Sequence, residues 1–166
     1  MLKELFEILN KFGAERVETL KRLHVEAGQK ASGKALQSFD FKTAKLDTGV
    51  RLLIGGAKHS YFLEHGRGRG GFPPPDKIRQ WIRDKGLAGQ FDKEYKLNSF
   101  AYLIGKKIAE QGSKLSRTGK TETGHSGMIS KAFDEETINQ LSKQLTEILG
   151  IEIKSSVIKE LKDVTI

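Results

Sequence analysis

The chain contains no cysteine. That excludes a disulfide framework and any cysteine-based zinc site, and it fits a reducing compartment. Proline is scarce as well: all three prolines stand together as Pro73-Pro74-Pro75, so their chain-breaking effect falls at a single place. No stretch approaches the roughly 20 apolar residues of a membrane span. The opening segment, MLKELFEILNKF, is interrupted by charge too often to form an apolar export core. The expectation is a soluble, non-exported protein with no membrane partner.

Catalytic signatures are equally sparse. Arg117-Thr118-Gly119-Lys120-Thr121 ends like a phosphate-binding loop, but the position of the required first glycine is Lys114, and the segment follows a helical pattern rather than a strand. Gly66, Gly68 and Gly70 alternate with other residues, yet the prolines that follow remove amides where a helix N-terminus would have to receive a pyrophosphate. The four histidines are His24, His59, His65 and His125. His59 and His65 lie on either side of Glu64 without the i, i+4 spacing of a helical zinc pair, so packing or surface roles are expected for all four. No serine sits in a nucleophile elbow, and adjacent Glu135 and Glu136 point to different sides of a helix. Neither an enzyme activity nor a cofactor is expected.

What the sequence does contain is charge and glycine. Its 166 residues suit one domain, taken as 1–166, and are 37% hydrophobic and 30% charged, with 18 glycines. The 29 Lys and Arg against 21 Asp and Glu give a net charge of +8, a balance that draws a protein to nucleic acid, anionic membranes or acidic partners. The basic residues run the whole length and alternate with acidic ones, which reads as a solvated face.

Hydrophobic periodicity places the elements. Leu2, Leu5, Phe6, Leu9, Phe12, Leu20, Leu23, Ala27 and Ala31 recur at helical steps and predict one long helix over residues 2–31, weakened locally at Gly13 and Gly28. Phe39 and Phe41, then Val50, Leu52 and Ile54, alternate on either side of Asp47-Thr48-Gly49 and predict a β-hairpin. Residues 57–65 read as a short helical or irregular segment ended by Gly66. After the prolines, Ile78, Trp81 and Ile82 mark the buried face of a helix with Asp76 in its first turn and Gly86 at its close. A further helix is expected from Asn98 or Ser99 to Gln111, with Gly112 as its C′ residue, and another from Asp134 to Gly150 carrying Ile138, Leu141, Leu145 and Ile148. Between them, residues 112–127 hold one sizeable apolar residue, Leu115, and predict a mobile loop that orders in an assembly. Ile151, Ile153 and Val157 alternate and predict a C-terminal strand returning to the hairpin.

The densest segment is Tyr61 to Leu87: YFLEHGRGRGGFPPPDKIRQWIRDKGL. A tyrosine, then Glu-x-Gly-Arg, a proline pair and an Ile-x-x-Trp-Ile helix occur in this order. In that order and spacing, over residues 49–111, the chain resembles the neck and tail-completion proteins of long-tailed bacteriophages. The matching residues are Tyr61, Glu64, Gly66, Arg67, Pro73, Pro74, Ile78, Trp81 and Ile82; the doubled Arg-Gly, the third proline and the 112–127 insertion depart from the pattern. The resemblance implies a virion structural protein at the head-to-tail junction. It would assemble in the host cytoplasm as a homo-oligomeric ring, of six subunits, beside other neck and tail-tube or tail-terminator proteins, with DNA passing through its channel without sequence-specific binding.

The expected fold is α+β, a small antiparallel sheet of hairpin plus C-terminal strand packed with the long N-terminal helix and three shorter helices. Candidate subunit or DNA contacts are Glu64, Arg67, Arg69, Arg117 and Lys120, with Glu64 paired to Arg67 or to an arginine of a neighbouring subunit. Trp81 is expected in the core. The alternative reading is a basic nucleic-acid-binding protein that uses the Arg/Gly loop. Against it, most of the nine Phe and the one Trp sit at core-periodic positions rather than free for base stacking.

Overall fold

The computed structural model describes residues 2–115 and 126–149. The fold is α+β. Its elements are α1 (Leu2–Glu26), α2 (Lys34–Gln37), β1 (Asp40–Leu46), β2 (Gly49–Gly55), α3 (Tyr61–His65), α4 (Pro75–Asp84), α5 (Glu94–Gln111), α6 (Met128–Ala132) and α7 (Glu135–Leu149). They belong to two compact units: the first takes the chain up to Leu23, Phe39–Gly55 and the residues from Ile129 on, and the second takes His24–Ser38 and Gly56–Met128. The expected C-terminal strand, at Ile151, Ile153 and Val157, lies outside the described residues.

In the first unit the hairpin forms where alternation and turn chemistry placed it. β1 and β2 pair antiparallel from Asp40 opposite Gly55 to Leu46 opposite Gly49, leaving Asp47 and Thr48 as a two-residue turn. α1 crosses this hairpin at Gly13. A Cβ there would stand 2.6 Å from the Phe41 ring and 2.8 Å from Leu52, so the glycine is the point of close approach of helix to sheet. The core of the unit is built from Leu5 of α1 with Leu141 and Leu145 of α7, flanked by Ile8, Leu9, Phe12 and Val50. Leu141 and Leu145 are one helical turn apart, as the periodicity of that segment requires. Arg16 adds a polar tie, donating from Nη1 to the Ala132 carbonyl at 3.0 Å and to the Thr137 hydroxyl at 3.3 Å.

Asp134 caps α7: its Oδ1 accepts the Thr137 backbone N–H at 2.8 Å. Hydrogen bonds from the Thr137 side chain and backbone hold its carboxyl below the usual carboxylate range. A carboxyl whose pKa is lower in the folded chain stabilises that chain above its unfolded pKa of about 4, and the effect is lost as pH falls through the folded value. Asp134→Ala is therefore expected to lower the melting temperature at pH 7, and the gap from the parent should close in acid. Thermal melts over a pH series test this; a gap that widens on acidification would refute it.

The second unit has its own core, in which Ile78 and Ile82 of α4 meet Leu97 and Ala101 of α5, with Leu87, Phe91 and Ile104 packed around them. α4 begins as expected, with Pro75 in the first turn and Asp76 paired to Arg79. α1 stops five residues before the predicted end. Gly28, at φ 69°, donates to the Val25 carbonyl while Gln29 donates to the His24 carbonyl at 3.0 Å, a left-handed cap that satisfies the last carbonyls. Gly86 closes α4 in the same way at φ 70°, with Leu87 donating to Ile82. α5 starts earlier than its pattern suggested, at Glu94, because Leu97 is buried one turn before Ala101 and extends the packed stripe backward.

Candidate functional site

The motif segment is anchored by backbone and by one carboxylate. The Gly/Arg loop is laced to the end of α5: Arg67 N–H donates to the Ser113 hydroxyl at 2.9 Å, Ser113 N–H donates back to the Arg67 carbonyl at 2.7 Å, and Gly70 N–H donates to Ala109 at 2.9 Å. Gly66 and Gly70, at φ 69° and 145°, allow the bend, while Gly68, Gly70 and Gly71 are exposed. Glu64, only 3% exposed, accepts the Gly127 N–H at 3.1 Å and the Ser126 hydroxyl, while its own carbonyl accepts Ser126 N–H at 2.7 Å. Both ends of the 112–127 segment are thus held, at Ser113 and at Ser126-Gly127. Residues 116–125, which include Arg117, Lys120 and His125, lie outside the described residues.

The expected pairing of Glu64 with Arg67 does not form. The Arg67 guanidinium donates to the Gly71 carbonyl at 3.0 Å, closing the loop on itself. Burial explains the difference: a carboxylate enclosed beside the Gly127 N–H and the Ser126 hydroxyl takes those short-range donors, and the flexible, half-exposed arginine stays at the rim. Arg69 is exposed. Buried His24 has a packing role, with Nδ1 bonded to the Gln29 carboxamide, whose Nε2 donates to the Leu63 carbonyl at 2.9 Å.

Trp81 overturns the sequence reading. Ile78 and Ile82 are buried, at 6% and 0% exposure, but Trp81 is 41% exposed. Residues at i, i+3 and i+4 share a stripe, and the stripe here is too narrow for its widest member, so the indole sits on the edge rather than the floor of the α4 and α5 contact. Trp81→Ala is accordingly expected to cost about 1.5 kcal/mol, well under the 3–5 kcal/mol of a fully buried tryptophan. A denaturant midpoint shift as large as that of a core substitution would contradict the assignment.

The exposed indole lines a cavity of about 630 Å³ that lies entirely within the second unit. Phe62 and Leu63 from α3, Ile78 from α4, Ile104 and Ile108 from α5, and Leu115 give it an apolar lining. Arg67, Lys77, Lys85, Lys107 and Lys114 are the charged residues among the described ones that line it, and no described aspartate or glutamate does. Lys85 is tied to the Gly28 carbonyl at 2.6 Å. The described ion pairs of the same two helices lie elsewhere: Asp76 with Arg79, Arg83 with Glu94, Asp92 with Lys96 and Lys106 with Glu110.

The structure therefore brings Gly66, Arg67, Ile78 and Trp81 together at one groove, whereas Glu64 faces Ser126 and Gly127. Tyr61 is exposed and stacks on the His65 ring at 4.0 Å; Pro73 is buried and Pro74 exposed just before α4. Further aromatics stand outside, with Phe72 stacked on Tyr102 at 5.5 Å. The groove itself was not legible beforehand, since Lys77, Lys85, Lys107 and Lys114 read singly as solvated charges. Among the described residues, no group of three His, Cys, Asp or Glu is placed to hold a metal ion, and no helix is long and apolar enough to cross a membrane. Comparison of the chain with protein-family models, curated proteins and solved structures finds no match.

Proposed function

We propose that this chain is a virion structural protein of a tailed phage or prophage, a tail-completion or head-tail connector component. It joins the tail to the neck as a ring of six subunits around the DNA channel. The observation that supports this reading is the outward placement of aromatic side chains on the motif segment. Tyr61, Phe62, Phe72 and Trp81 are all exposed, together with Tyr102 and Leu103 of α5. Large apolar side chains left outside a folded unit, with arginine among them, have the composition of the buried centre of a protein interface.

The role is one of contact: neighbouring subunits and neck proteins cover these side chains in the virion, and the chain meets them in the host cytoplasm during assembly. Arg67 and Arg69 are assigned to subunit contacts. The test is Arg67→Ala/Arg69→Ala, followed by oligomer mass from light scattering and by affinity for duplex DNA across a salt series. Loss of the ring with DNA affinity nearly unchanged is the expected result. Intact rings with a large loss of salt-dependent DNA affinity would overturn the proposal in favour of nucleic-acid binding.

A further inference from the structure

We propose that the groove around Trp81 is a docking site for an acidic peptide segment carrying a bulky apolar side chain, supplied by a neighbouring protein of the assembly. The identity of the partner rests on the structural-protein reading; the chemistry of the occupant rests on the groove alone.

Three observations carry it. The cavity, at about 630 Å³, has the size of sites that enclose a ligand, and its lining is an indole among aliphatic side chains. An exposed tryptophan over an apolar depression is the usual composition of an anchor pocket, because a large side chain entering it removes much apolar surface from water at one point. The charge around it has one sign. Among the described residues five cationic side chains and no carboxylate line the groove, although acidic residues on or beside the same helices pair Arg79, Arg83, Lys96 and Lys106. Lys77 and Lys107 are exposed and take part in none of the described ion pairs.

Electrostatic complementarity then selects the occupant: apolar at its centre, anionic at its flanks. A chain of net charge +8 is a poorer source of such a segment than an acidic neighbouring protein, so the groove is assigned to that neighbour and not to the contacts between copies. A nucleic acid would satisfy the lysines but would leave the aliphatic lining of Ile78, Ile104 and Ile108 without a matching surface.

Trp81 is the single tryptophan of the chain and so reports on its own groove. The experiment titrates the full chain with a panel of synthetic heptapeptides, Glu and Asp at the flanks and Phe, Leu, Ile or Met at the centre, while indole emission is followed. The expected result is a saturable blue shift with a Kd on the order of 0.1 mM for at least one member. Affinity should fall about tenfold when the flanks are changed to Gln and Asn, and should weaken further with added salt. Lys77→Glu/Lys107→Glu should retain the parent melting temperature, lose about tenfold in affinity for the acidic peptide, and bind the Lys-flanked counterpart better than the parent does.

The proposal is overturned if no member shifts the emission at about 1 mM, if the neutral peptides bind equally well, or if duplex DNA produces the shift and competes at equal charge. It is also overturned if the charge-reversed variant binds the acidic peptides as the parent does, or if dodecanoate shifts the emission where every peptide fails. Peptide binding by a chain that never enters a ring would uphold the groove and sink the ring reading. Rings with no peptide response would do the reverse.

Discussion

Ile82→Ala is expected to destabilise the second unit by about 4 kcal/mol. The side chain has no exposed surface and stands among Ile78, Leu97 and Ala101, so truncation removes its transfer free energy and leaves a void between α4 and α5. Little is available to collapse into that void, since Ala101 is already small and Leu97 is fixed by its own helix. The measurement is denaturant unfolding followed by Trp81 emission, one residue away in the same helix. The contrast with Trp81→Ala is the sharp part: adjacent positions, the smaller side chain carrying the larger loss. Equal losses at the two positions would mean that the indole is buried after all.

Glu64→Ala is expected to cost about 3 kcal/mol. The substitution strips the acceptor from the Gly127 N–H and the Ser126 hydroxyl, and the buried Gly127 N–H is left without its partner and without solvent. Glu64→Gln keeps a carboxamide oxygen for one of them and should lose less than half as much. Amide exchange at Gly127 should accelerate strongly in the alanine variant, because residues 126–127 are the ones the carboxylate holds. Unchanged exchange there, whatever happens to global stability, would show that the backbone bond from Ser126 to Glu64 suffices by itself.

The two positions also mark what could be read from the chain in advance. At two places where the information is local the expectation and the structure agree: the hairpin follows from strict alternation around Asp47-Thr48-Gly49, and α7 from Ile138, Leu141 and Leu145 after Asp134. Ile78 and Ile82 are core as predicted, while Trp81 is not, because a stripe of three apolar residues on a ten-residue helix does not reveal which of them lies over the contact and which lies at its margin. Gly13 was read as a weak point in α1, yet it is where Phe41 and Leu52 press against the helix, a fact that depends on an element almost thirty residues further on. Glu64 shows the same limit. A carboxylate two residues before a Gly-Arg pair suggests an ion pair, and only the fold places Ser126 and Gly127 within reach instead. The groove depends on distance even more, since its walls come from four separate stretches between residues 28 and 115.

The interleaving of the two units has a consequence for biosynthesis. The core of the first unit joins Leu5 of α1 to Leu141 and Leu145 of α7, near opposite ends of the described chain, whereas the core of the second unit is complete by Phe91 to Ile104. On the ribosome the α4 and α5 pair therefore emerges and can close while α1 still waits for its partner. At about 5–20 residues per second the apolar stripe of α1 stays without α7 for roughly ten seconds. For that interval Leu5, Ile8, Leu9 and Phe12 lack the cover that α7 supplies, apolar surface of the kind that chaperones bind.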